Sequence, residues 1–117
     1  MDRPLAGHTI LIVEDEPLIS FDISTAFERA GARVFTARTM TDAMPCVDQD
    51  DLSAAVLDCD RADANADGLC VRLKERAIPF VLHSGHGHVE DACEGGAVVP
   101  KPADPAKLVK TVLGLLR

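Results

Sequence analysis

Thr9-Ile10-Leu11-Ile12-Val13-Glu14-Asp15 is a nearly continuous apolar run that ends in two adjacent acids. A run of this kind, with no polar alternation, is what a parallel strand covered on both faces shows. The pattern returns three times. Residues 54–57 lead into Asp58, residues 80–82 into His83-Ser84, and a weaker run at 97–99 into Pro100-Lys101-Pro102. If these runs are parallel strands, their terminal groups meet at one sheet edge, because ligands of open α/β sheets sit beyond the carboxyl ends of the strands. Three carboxylates crowded there repel one another and require a counter-cation. A hydroxyl and an ammonium beside them are donors for an anion. Carboxylates, a divalent cation and a phosphoryl group make up one chemistry.

Helical spacing fills the intervals. Pro17 suits a first helical position, and Leu18, Ile19, Ile23, Ala26, Phe27 and Ala30 recur on one face before Gly31, a left-handed cap. Residues 33–37 form a short strand, 41–48 a weak helix carrying Pro45, and 69–77 another helix. A poorly supported helix falls at 89–94. Asp104 caps a last helix with Pro105 at its start and a stripe of Leu108, Val109, Val112, Leu113 and Leu116. Five strands alternating with helices predict a three-layer, doubly wound α/β fold with right-handed crossovers.

At 117 residues the chain is expected to form one domain over 1–117, with its core from about residue 8. An apolar content of 47% argues against disorder, and without Trp or Tyr the core rests on aliphatic residues and four Phe. A net charge of −7 disfavours nucleic-acid or anionic-membrane binding, since both need a basic face. No apolar run reaches membrane-helix length, and Met1-Asp2-Arg3-Pro4 opens no signal peptide. Cys46, Cys59, Cys70 and Cys93 lack C-x-x-C spacing and are read as reduced thiols, a disulfide pair being the alternative. The cytoplasm is the expected compartment.

Each candidate has a plain structural reading beside the chemical one. Asp58 after a buried strand is either a turn residue or a nucleophile toward phosphorus. Glu14 and Asp15 shift that balance, because adjacent acids at a second strand end suit Mg²⁺ (or Mn²⁺) with water ligands. Lys101 lies between two prolines that fix its backbone, and an ammonium so placed can pair with Asp58 and later with a phosphoryl group, an ordinary surface lysine being the plain reading. Ser84 offers a hydroxyl for a phosphoryl oxygen.

The order Ile10-Leu11-Ile12-Val13-Glu14-Asp15-Glu16, Val56-Leu57-Asp58, Ser84-Gly85 and Lys101-Pro102 resembles the receiver domain of two-component response regulators over nearly the whole chain. That resemblance implies a flavodoxin-like sheet of order 2-1-3-4-5 and a histidine kinase or histidine phosphotransfer protein as phosphodonor. It makes Asp58 the phosphoacceptor and a direct Mg²⁺ ligand with Asp15, and has Glu14 act through water. Asp60 would supply a backbone carbonyl, Ser84 the switch hydroxyl and Lys101 the conserved-type lysine. Phosphorylation would draw Ser84 inward and rearrange the segment up to Lys101, changing affinity for a downstream protein. With no output domain expected, output is through protein contacts or as a phosphate sink, and the domain is no enzyme beyond its own phosphorylation and dephosphorylation.

The chain departs from the family pattern in places. The stretch 59–67 has no proline and Gly68 comes two positions late, while Val98 stands where an aromatic is usual. Residues 79–86 resemble instead a subgroup with an aromatic after Ser/Thr-Gly, His86 taking that place. A degenerate receiver acting without phosphorylation is the alternative. Asp58-Cys59-Asp60 also resembles the D-x-D of haloacid-dehalogenase phosphohydrolases, although there the acidic pair follows the lysine. The residues 63–68 imitate half of an EF-hand but reach Lys74 where Glu is needed. His83, His86, His88 and Cys93 cluster in sequence without zinc spacing. His86 or His88 could instead titrate near neutrality and tune dephosphorylation. Cys59 beside acids is a packing residue rather than a redox sensor.

Overall fold

The computed structural model describes residues 3–48, 51–58, 66–85 and 93–117. Five strands form one parallel sheet: β1 (Thr9–Val13), β2 (Arg33–Ala37), β3 (Leu52–Asp58), β4 (Phe80–Ser84) and β5 (Ala97–Pro100). Their spatial order is β2-β1-β3-β4-β5, the expected one. The register sets Val13 beside Leu57 and Asp58 beside His83. Ser84 in turn sits beside Pro100. The apolar runs at 9–13, 54–57 and 80–82 form buried strands, although β3 begins earlier and carries Asp58 as its own last residue, whereas the run at 97–99 forms an edge strand with Val98 exposed.

Alternate strand residues bury against opposite layers. Leu11, Val13, Leu57, Phe80 and Leu82 pack with residues of α2 (Met40–Val47) and α3 (Ala66–Glu75), among them Val47, Leu69 and Leu73. Ile10, Ile12, Val56, Val81 and Val99 pack with Ile23 and Phe27 of α1 (Pro17–Arg29) and with Leu108 and Val112 of α4 (Pro105–Leu115). Each such side chain contributes about 1.5–3 kcal/mol on burial, so the two layers fix the sheet and hence its edges.

Caps place the helices. The Glu16 carboxylate accepts from Leu18 N at 3.3 Å and Pro17 follows at the first position. Asp104 does the same for Ala106 N at 2.9 Å, ahead of Pro105. Gly31, at φ 100°, closes the turn after α1 as expected, against Ala6 of the lead-in. Pro45 lies inside α2, an eight-residue helix that runs two residues beyond it to Val47. The doubtful helix at 89–94 falls almost entirely outside the described residues; of its last two residues Cys93 is in 3-10 helical conformation and Glu94 in a turn.

The cysteine expectation needs correction. Cys70 and Cys93 are disulfide-bonded, with Cα atoms 5.1 Å apart, while Cys46 is free. Sequence spacing detects only local thiol pairs. These two, 23 positions apart, meet because both pack into the layer of α2 and α3.

Candidate functional site

The carboxyl ends of β1 and β3 bring Glu14, Asp15 and Asp58 together, one oxygen from each lying within 4.8 Å of the others. Backbone bonding holds Glu14 there: its N–H donates to Ala37 O at 3.0 Å, and its own Oε2 accepts from Glu16 N at 3.0 Å. Glu14 is 4% exposed and Oε1 makes no hydrogen bond. Burial pushes the Glu14 carboxyl up to about 7, helped by the nearby Asp58 and opposed by the Glu16 amide and Lys101.

Lys101 closes the cluster from β5. Its Nζ donates to Asp58 Oδ1 at 2.9 Å, an ion pair with Asp58 buried and Lys101 partly exposed. Its N–H donates to Ser84 O at 2.9 Å, and the Lys101–Pro102 peptide is cis. Ser84 is buried at the end of β4, one position beyond the partner of Asp58. Five residues named from sequence thus converge: Glu14, Asp15, Asp58, Ser84 and Lys101. Asp60, His86, His88, Cys59 and the residues 63–65 of the calcium-loop imitation lie outside the described residues. His83 is buried within β4, as expected, and Cys93 is disulfide-bonded, so among the described residues neither adds to a zinc site.

Three carboxyl groups gather in a partly buried site, with the Lys101 ammonium paired to Asp58 and Arg38 lining the adjoining cleft. The donor set is all oxygen, and one buried oxygen of Glu14 lacks a hydrogen-bond donor. Those properties fit a hard divalent cation. A cleft of about 550 Å³ opens beside Glu14 and Asp15, bounded by Pro17, Phe21, Arg38 and Asp42. Sequence reasoning missed Arg38. It follows the last residue of β2, which ends at the same edge, but β2 lacks the long apolar run that drew attention to the other strands.

Fold and site together define a receiver domain of two-component signalling, a regulatory module. The family model for the response regulator receiver domain matches residues 10–113, and the chain belongs to that family. It is 30% identical over 93 residues to the transcriptional regulatory protein TcrA of Mycobacterium tuberculosis, covering 78% of this chain and 37% of that protein. The chain thus spans little more than a third of that relative. A CheY-like receiver domain from Methanospirillum hungatei JF-1 superposes with TM-score 0.80 at 22% identity, over 93% of each chain. The receiver domain of a sensor histidine kinase from Pseudomonas aeruginosa PAO1, whose structure has magnesium coordinated in its active-site cleft, gives 0.78 at 21% identity over 95% of this chain and 98% of that one. Family membership leaves the phosphohydrolase comparison without support. Among the described residues no helix is long and apolar enough to cross a membrane.

Proposed function

We propose that Asp58 accepts a phosphoryl group from a phosphohistidine of a histidine kinase or phosphotransfer protein, and that the domain signals through protein contacts or drains phosphate from a relay. The observation that carries this reading is the 2.9 Å Lys101–Asp58 pair set among the oxygens of Glu14 and Asp15. An Asp58 oxygen attacks phosphorus, the phosphorus–nitrogen bond of the donor breaks, and an acyl phosphate forms. Glu14, Asp15 and Asp58 would hold Mg²⁺, which would neutralise charge on the phosphoryl oxygens; the Asp60 carbonyl is a further candidate ligand. Lys101 loses its carboxylate partner as Asp58 becomes an acyl phosphate, and its ammonium is then available to a phosphoryl oxygen. The Ser84 hydroxyl, one residue past the sheet neighbour of Asp58, is the donor for another. Positioning and charge neutralisation account for most of phosphoryl-transfer catalysis, and these groups provide both.

A shift in the segment from Ser84 to Lys101 would carry the signal, needing only a few kcal/mol between two states. We further propose that residues 1–117 act as one receiver domain in the cytoplasm. Incubation with acetyl phosphate and Mg²⁺ tests the proposal. Intact-mass measurement is expected to show one added phosphoryl group, absent without Mg²⁺ and absent in Asp58→Asn. No addition to the unaltered chain would favour the degenerate, phosphorylation-independent receiver, and many turnovers of donor would point to a hydrolase.

A further inference from the structure

We propose that the Cys70–Cys93 disulfide is a thiol-exchange site that governs how freely β5, and with it Lys101, moves against the sheet. The inference rests on the phosphoacceptor reading above, whose regulation it concerns. Cys70 belongs to α3, the first described element after Asp58, and Cys93 lies just ahead of β5. The ring that the bond closes contains all of β4, including Ser84. One covalent link therefore spans the elements that follow, flank and lead to the site.

The mechanics follow from how β5 is fastened. It is an edge strand of four residues, about 13 Å long, so a restraint at one end is felt at the other. At its far end Lys101 is held by Asp58 and Ser84. At its near end Gly96 N donates to Cys93 O at 3.3 Å, and Gly96 lies so close to the Phe80 ring that a Cβ there would collide with it. With the disulfide formed, that near end is anchored to α3 as well. With it broken, the described contacts that still hold this end are the turn, the Phe80 contact and the β4 ladder that begins at Val81 and Ala97, with no covalent tie to α3. Cys70 and Cys93 are 1% and 5% exposed, so exchange requires local opening of this same region.

The chemistry balances with a dithiol as reductant. One of its thiolates attacks a cysteine Sγ, the Sγ–Sγ bond breaks, and the other cysteine leaves as a thiolate that is protonated. The second thiol of the reductant resolves the mixed disulfide, so the dithiol is oxidised to a disulfide and the protein gains two thiols. Because binding linkage is reciprocal, a ligand that favours the shifted β5 must also favour the reduced pair.

The test uses the whole chain, equilibrated in mixtures of reduced and oxidised dithiothreitol with and without Mg²⁺ and beryllofluoride, a phosphoryl mimic that needs no transfer step. Alkylation and peptide mapping separate Cys70 and Cys93 from Cys46 and Cys59. Expected are a bonded Cys70–Cys93 pair in the oxidised chain, amide NMR shifts at residues 97–99 and at Lys101 on reduction alone, and at least about a fivefold change in the reduced-to-oxidised ratio on adding the mimic. The Cys70→Ser, Cys93→Ser double variant should reproduce the reduced spectrum. If it does not fold, the dithiothreitol-reduced chain supplies the comparison. Free thiols at both positions after treatment with oxidised glutathione would overturn the proposal, as would unchanged Lys101 and β5 amides on reduction. Shifts on reduction with no response of either form to beryllofluoride would uphold the clamp and count against the phosphoacceptor reading.

Discussion

The same strands end in two kinds of polar cluster. At the amino ends of β1 and β3, His8 Nδ1 and Ser53 Oγ share a hydrogen bond of 3.0 Å, and Ser53 Oγ also accepts from Thr9 N at 3.3 Å. Thr9 Oγ1 donates to Asp51 at 3.5 Å, and Arg33 lies 3.9 Å from the same carboxylate. The β1–β3 register shifts between Thr9 and Ile10, and the Ser53 hydroxyl takes over a place in the ladder. Acid faces base and acceptor faces donor. At the carboxyl ends, Glu14, Asp15 and Asp58 crowd together with Lys101 paired to Asp58, and a buried oxygen of Glu14 accepts nothing. Both ends are built on the same hydrophobic layers, so packing does not explain the difference. A cluster that satisfies itself holds strands in register; one left with a buried acceptor unsatisfied is prepared for something from outside.

Substitutions at the two ends should therefore have opposite consequences. Asp58→Asn should reduce Mg²⁺-dependent labelling by acetyl phosphate at least about 100-fold, because the nucleophile is gone, while leaving the fold intact by circular dichroism. Lys101→Met should slow labelling by roughly 100-fold, as does loss of a preorganised donor elsewhere, read from the time course of phosphoryl addition. Glu14→Gln should weaken Mg²⁺ binding by about 10-fold or somewhat more in a calorimetric titration, the range seen when a group orienting the metal's ligands is lost. At the other end Ser53→Ala should leave labelling unchanged and cost only about 1 kcal/mol in urea unfolding. A comparable loss of labelling from Ser53→Ala would erase the distinction between the two edges.

Acidity sharpens the contrast further. Glu14 binds its proton more tightly in the fold, at about 7, than at its usual 4.5. Its contribution to stability without metal is therefore complete below about pH 4.5 and is lost as pH rises through about 7. Thermal melts without Mg²⁺ should show that loss, and Glu14→Gln should remove it. Added Mg²⁺ should restore stability at the upper end, by about 2.7 kcal/mol at a hundredfold excess over its Kd.

Much of this architecture was legible because one signal reported two things at once. Apolar runs marked the strands, and the groups terminating them marked the edge, so Glu14, Asp15, Asp58, Ser84 and Lys101 could be gathered before any coordinates. Capping chemistry at Asp104-Pro105 likewise announced α4. What escaped had no local signature. Arg38 follows a short strand whose residues are only partly buried, and Glu16 caps α1 although Glu is not a favoured cap. The Cys70–Cys93 bond arises from a tertiary packing that spacing does not encode. Boundaries moved where polar residues such as Ser53 continued a strand beyond its apolar run.

The central claim, an acidic edge awaiting a divalent cation, is tested most directly by counting protons released when Mg²⁺ binds. Calorimetry in buffers of differing ionisation enthalpy should show one bound ion, with most of a proton expelled from Glu14 near pH 6 and almost none near pH 8. No saturable binding at either pH, or binding as strong in Asp58→Asn and Glu14→Gln as in the unaltered chain, would contradict the account.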